Sequence, residues 1–165
     1  MLVKHECAMV VDVGTNTEVV LKKGDRTVAA SCPAGPAFEG GGIVYGMPGH
    51  DGAIESLVIE DGTYRFRTIG DFPAEGLCGS GLIDLLAELR RHNLMTPKGV
   101  FAEKQYELVI DPQREITFSR LDASNLAQAK AANTCGEFIV MRHLGVRPND
   151  IECLYLAGGF ANYVN

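Results

Sequence analysis

Apolar and polar positions alternate in short blocks along this chain. "CAMVVDV" (7–13) is an almost unbroken apolar run, the pattern of a buried strand. "TEVVLKK" (17–23) follows it, and Gly24-Asp25-Arg26 make a tight turn into "RTVAASC" (26–32). Three short runs separated by turn residues predict an antiparallel meander. "PAGPAFEGGGIVYGMPG" (33–49) holds too much Gly and Pro for a regular strand, and its centre predicts a short helical turn. "AIESLVIEDGTYRFRTIG" (53–70) carries Asp61-Gly62 between two alternating runs, a strong hairpin signal. The period then changes. In "GLCGSGLIDLLAELRRHNL" (76–94), Leu82, Leu85, Leu86 and Leu89 recur at helical spacing, with Ser80 as the expected N-cap. "YELVIDPQREITF" (106–118) predicts a second hairpin around Asp111-Pro112. A long helix is expected from about Asp122 or Ser124 to Leu144, stopped by Gly145. "IECLYLAGGF" (151–160) predicts a last buried strand. "CAMVVDV" and "CLYLAG" should be parallel neighbours, so that their small-residue ends converge.

Composition adjusts this picture at three points. Gly supplies 19 of 165 residues, about 12% against a usual ~7%; such an excess means unusual backbone or close backbone approach. The net charge of −6 argues against a nucleic-acid partner, which needs clustered Lys and Arg. No window approaches the roughly 20 apolar residues of a membrane span, and no signal-peptide pattern is present, so no membrane partner is expected. Five cysteines, Cys7, Cys32, Cys78, Cys135 and Cys153, stand singly, without the spacing of a zinc or iron–sulfur site. Reduced, mostly buried thiols in a cytoplasmic protein are the reading.

Candidate chemistry gathers at three Gly-rich ends. The chain has neither the G-x-x-x-x-G-K-[ST] of a P-loop nor a G-x-G-x-x-G. It has "DVGTNTE" (12–18), "GLCGSGLID" (76–84) and "LAGGFAN" (156–162). A turn of small residues, Gly14, Thr15, Asn16 and Thr17, can offer N–H groups and hydroxyls to phosphate. Asp12 at the strand end can hold Mg²⁺ through water. Gly79-Ser80-Gly81 opens a helix whose free N–H groups suit an anion. Gly158-Gly159 lets a base or ribose lie on bare backbone. Glu39, in "AFEGG", can orient water or metal, with a plain surface carboxylate as the equal alternative. Asp84 is a helix-dipole partner or a site residue. Each cluster alone reads more simply as a turn; their order along the chain raises the odds.

That order resembles one lobe of the actin, sugar-kinase and Hsp70 superfamily. The implied fold is α/β, a ribonuclease-H-like lobe with a mixed sheet and flanking helices. "VDVGTNTEVVL", "SCPAGPAFEGGGI", "GAIESLVI", "TIGDFPAEGLCGSGLIDLLAELRRHNLM", "AKAANTCGEFIVMRHLGV" and "DIECLYLAGGFANYVN" together resemble the C-terminal ATPase domain of the reductive activators of corrinoid proteins, a family of large ferredoxin-like iron–sulfur proteins. The family pattern more usually reads "GTNGE"; Thr17 takes the place of its second Gly. The resemblance implies ATP and Mg²⁺ as ligands, and ATP-dependent reduction of a corrinoid partner from cob(II) to cob(I)alamin. It implies that residues 1–165 form a single domain, the second, nucleotide-binding lobe of a larger ATPase domain. The first lobe and a [2Fe–2S] domain would lie upstream of this chain. Asp12 and Glu39 are then the catalytic candidates, Asp12 also the metal candidate. Half a cleft buries less than the usual 70–90% of a ligand, so ATP binding by this chain alone is expected at about high-micromolar to millimolar Kd, without hydrolysis. The alternatives are a non-catalytic dimerisation or binding module, with a homodimer as partner, and a lobe of a small-molecule kinase or Hsp70-like chaperone.

Overall fold

In a computed structural model describing residues 4–158, nine strands and two longer helices form two compact units. The first unit takes residues 1–35 and 129–163, the second residues 36–128 and the last two.

The first unit is a four-stranded sheet of order β3-β2-β1-β9. Strands β1 (Cys7–Asp12), β2 (Asn16–Lys23) and β3 (Arg26–Pro33) form the expected antiparallel meander. Strand β9 (Cys153–Ala157) runs parallel to β1, with Ala8 opposite Cys153 and Asp12 opposite Ala157. One face carries Cys7, Met9, Val11, Val19 and Leu21, the residues that the period of two selects. They pack against Val140, Leu144 and Val146, of which the first two lie on helix α2 (Arg120–Leu144). Gly136 lets this helix come close: a Cβ there would collide with Cys32 Sγ and touch Val19 at 3.5 Å.

In the second unit, β4 (Ala53–Glu60) and β5 (Thr63–Thr68) form the hairpin expected from Asp61-Gly62, whose φ values of 49° and 73° are those of a turn that favours Gly and Asp. Strand β6 (Gly76–Leu77), which the sequence pattern did not suggest, adds to β4 in parallel beside Ala53 and Ile54. Helix α1 (Gly79–Arg91) buries Leu82, Leu85 and Leu89 as its period requires, while Leu86 is half-buried. Strands β7 (Glu107–Asp111) and β8 (Ile116–Ser119) form the second hairpin. The turn Pro36–Glu39 is a single 3-10 helix, as its composition suggests.

Three local expectations change. Ser80 is not the N-cap of α1; Cys78 holds that position without a side-chain cap bond, and Ser80 lies in the first turn, its Oγ 3.4 Å from Cys78 Sγ. Helix α2 starts earlier than expected because Ser119 and Asp122 cap it reciprocally: Ser119 N–H and Oγ donate to Asp122 Oδ2 at 2.8 and 2.6 Å, and Asp122 N–H donates to Ser119 Oγ at 3.1 Å. Asp84 is no mere dipole partner. Its Oδ2 accepts Leu57 N–H at 3.1 Å, and one turn on, buried Glu88 Oε2 accepts Ile59 N–H at 2.7 Å. Beyond Ile54, where β6 ends, these two carboxylates satisfy the outward donors of β4, which buried without partners would be costly.

The cysteines are all free thiols. Cys7, Cys32 and Cys78 are buried, Cys153 is half-buried and Cys135 is exposed. Burial pushes the Cys7 and Cys32 thiols up from their ordinary values, away from the thiolate form.

Candidate functional site

The site begins where β1 and β9 end. Parallel pairing brings Asp12 beside Ala157, so the next residue, Gly158, turns directly over the carboxylate. Gly158 has φ +81°, a conformation that side-chain-bearing residues avoid. A Cβ on it would collide with Asp12 Oδ1 and lie 3.1 Å from Asp12 Cγ. Bare backbone at 158 therefore makes room for the Asp12 carboxylate, a use the sequence could not suggest. Asp12 is half-buried and has no hydrogen-bond or ion-pair partner among the described residues. A half-buried carboxylate without a partner among the described residues, at the C-terminal end of parallel strands, is the candidate ligand contact of this sheet.

The β1–β2 turn is 13–15, and its Thr15 carbonyl accepts Gly35 N–H at 2.9 Å, tying the turn to the end of β3. Gly14 is half-buried, and Thr15 and Asn16 are exposed beside Asp12. Thr17 stands apart from them. It is fully buried in β2, and its hydroxyl donates to Asn133 Oδ1 on α2 at 2.7 Å. The Thr17 hydroxyl is thus a structural group, not a phosphate contact, because strand alternation turns it to the core side while Asn16 and Glu18 face out. Its backbone is extended, which any residue adopts, so the departure from Gly leaves the turn undisturbed. Replacing Thr17 with Val keeps the shape and strands Asn133; a loss of about 1–2 kcal/mol is expected from denaturant titration, with ligand binding unchanged.

The remaining candidates lie in the second unit. Glu39 is exposed at the end of its 3-10 turn. Gly79 and Ser80 are half-buried in the first turn of α1. Gly81 is buried, and a Cβ on it would collide with the Ile54 carbonyl oxygen and lie 2.9 Å from its carbon. Its missing side chain serves the packing of α1 on β4. Gly159 lies outside the described residues.

The donor set at Asp12 suits Mg²⁺ rather than a metal caged by protein. Mg²⁺ keeps several waters and is held by one or two carboxylates together with phosphates. Among the described residues no three His, Cys, Asp or Glu side chains converge. None of the described helices is long and apolar enough to cross a membrane.

Residues 6–165 match the family model of the C-terminal domain of RACo, the ASKHA domain. The corrinoid activation enzyme RamQ of Eubacterium limosum is 30% identical over 95% of this chain and 30% of its own length. The [Co(II) methylated amine-specific corrinoid protein] reductase of Methanosarcina barkeri is 30% identical over 99% of this chain and 34% of its own length. The solved structure of a reductive activator for corrinoid, iron–sulfur protein superposes with a TM-score of 0.85 at 37% identity, covering 97% of this chain and 28% of that one. The chain thus spans about a third of the length of the curated relatives it matches.

Proposed function

The chain belongs to the family of the C-terminal ASKHA domain of RACo, and from that premise we propose that it is the nucleotide-binding lobe of an ATPase that drives reductive activation of a corrinoid protein. One observation carries the reading: Asp12, unpartnered among the described residues, faces the bare backbone of Gly158 where two parallel strands end. Sheets of this kind take ligands at that edge.

In this reading the turn 13–15 offers its N–H groups and Thr15 its hydroxyl to the nucleotide phosphates. Asp12 holds the waters of the Mg²⁺, which neutralises phosphate charge when bound. Gly158 and Gly159 take the adenosine side. In the second unit, taken by itself, Glu39 is the candidate to orient water, and the first turn of α1, at Gly79 and Ser80, the candidate to offer N–H groups to an anion. The other wall of the cleft and a [2Fe–2S] domain would belong to the longer protein, for which the cytoplasm is the expected compartment. The corrinoid cobalt would be the substrate, gaining one electron on going from Co(II) to Co(I); a cluster in the longer protein, itself reduced by an external electron donor, would supply that electron, and this chain would contribute the ATP dependence. The names of the relatives, a corrinoid activation enzyme and a Co(II) corrinoid-protein reductase, support the partner and the reaction.

The test is Asp12→Asn in the full-length protein. The substitution keeps size and removes charge, so Mg²⁺-dependent ATP hydrolysis should fall about 100-fold. The melting temperature should hold, because Asp12 stabilises no described neighbour. Unchanged hydrolysis would refute the assignment.

A further inference from the structure

Gly81, Gly136 and Gly158 are each explained by the atoms that a Cβ would strike. Gly35 is not. It has φ +78°, yet apart from its chain neighbours nothing lies within 4 Å of where its Cβ would be. It also closes no hairpin and follows no helix, the uses that account for Gly62 and Gly145. Its freedom therefore serves a backbone path rather than packing.

That path ends β3. Lys23 and Arg26 flank a two-residue turn, so they form a hydrogen-bonded pair, and so does every second pair beyond them. These are Leu21 with Val28, Val19 with Ala30, and Thr17 with Cys32. The next in the series would be Thr15 with Ala34. The Thr15 carbonyl does point to the β3 side, but the N–H that it accepts at 2.9 Å comes from Gly35, one residue late. Ala34 and Gly35 together oppose Thr15, the arrangement of a β-bulge, a device common beside active sites. The consequence falls on Asn16. The peptide joining Thr15 to Asn16 is trans, so its C=O and N–H point in opposite directions. With the carbonyl held on the β3 side, the Asn16 N–H turns to the β1 side. No residue of β1 lies opposite to take it, because that pairing ends at Asp12 and Glu18. The N–H looks past the end of β1, where Asp12 stands.

We infer, resting on the nucleotide reading above, that Gly35 is a positioning residue for the phosphate turn. Through the Thr15 carbonyl it fixes the Asn16 N–H as a donor to a phosphate oxygen of the nucleotide. Asn16 touches the ligand, and Gly35 acts only through it. A charged phosphate oxygen makes the direction of a single N–H matter, since such a bond is roughly twice as strong as one between neutral groups.

The test compares the binding of ATP, ADP and adenosine to the longer protein by calorimetry. Gly35→Ala fits the open space but favours negative φ, so the N–H leaves Thr15. It should weaken ATP and ADP about tenfold and leave adenosine unchanged, because only the phosphates meet the turn. Gly35→Asn, which enters the left-handed region more readily, should recover most of that loss. Asn16→Pro removes the N–H at the first residue of a strand, a place where proline is tolerated. It should weaken ATP as much as Gly35→Ala does, and the double variant should lose no more, since both act through one hydrogen bond. Unchanged ATP binding in Gly35→Ala, equal weakening of adenosine, additive losses in the double variant, or a Gly35→Ala protein that fails to fold would overturn the role of Gly35 and leave the nucleotide reading standing. A parent protein that binds no ATP would overturn both.

Discussion

Gly158→Val is expected to cost about 2–5 kcal/mol of stability and to bring ATP hydrolysis by the longer protein to background. Two effects add. At φ +81° a β-branched residue is strained by about 1–2 kcal/mol. The new Cβ also collides with the Asp12 carboxylate, an overpacking cost of about 1–3 kcal/mol. The bare backbone expected to receive a base or ribose also leaves room for the Asp12 carboxylate, and a side chain at 158 meets Asp12 first, so the substitution should act through the carboxylate. The two mechanisms separate by experiment. Gly158→Ala carries the same Cβ with no branches, and should lose Mg²⁺-dependent hydrolysis nearly as fully as Val. If Ala hydrolyses ATP normally while Val does not, the bulk of the side chain matters and Asp12 is not its target. Denaturant unfolding and steady-state hydrolysis on the same preparations supply both numbers.

Gly81→Ala is expected to lower stability by about 2–3 kcal/mol, despite the better helix propensity of Ala. The added methyl meets the Ile54 carbonyl, which is backbone and cannot rotate away. Helix α1 must withdraw from β4, and Asp84 and Glu88 withdraw with it. The loss should therefore appear first at the amides of Leu57 and Ile59, whose hydrogen bonds depend on those carboxylates. Hydrogen exchange at these two amides should accelerate more than at Tyr64 and Phe66, which have no such bonds to lose. Stability equal to that of the parent protein would mean that α1 accommodates the methyl, and that Gly81 is needed for something other than packing.

Both substitutions concern glycines that stood out as candidate ligand contacts, and in both the structure supplies a packing reason. The excess of Gly was legible as close backbone approach, but what approaches was not. Gly81 meets Ile54, 27 positions earlier, and Gly158 meets Asp12, 146 positions earlier. Thr17 shows the same limit: its neighbours Gly14, Thr15 and Asn16 form the turn and the strand start as read, while its hydroxyl belongs to Asn133.

The sequence by itself determined the elements whose cause is local. The period of two in β2, the period of 3.6 in α1, Asp61-Gly62 at the hairpin and Gly145 after α2 each act within a few residues of the chain. It also determined the parallel neighbours β1 and β9, because two apolar runs ending in small residues have few ways to pair, and its motifs sufficed for the family. The tertiary structure alone decided which polar groups are spent on the fold. Ser80 yields the N-cap to Cys78, Asp84 and Glu88 close the edge of β4, two residues become β6, and Asp12 is left facing Gly158. The physical reason is that a hydrogen-bonding group is committed by whatever lies within about 3 Å of it, and for these residues that neighbour comes from a distant part of the chain.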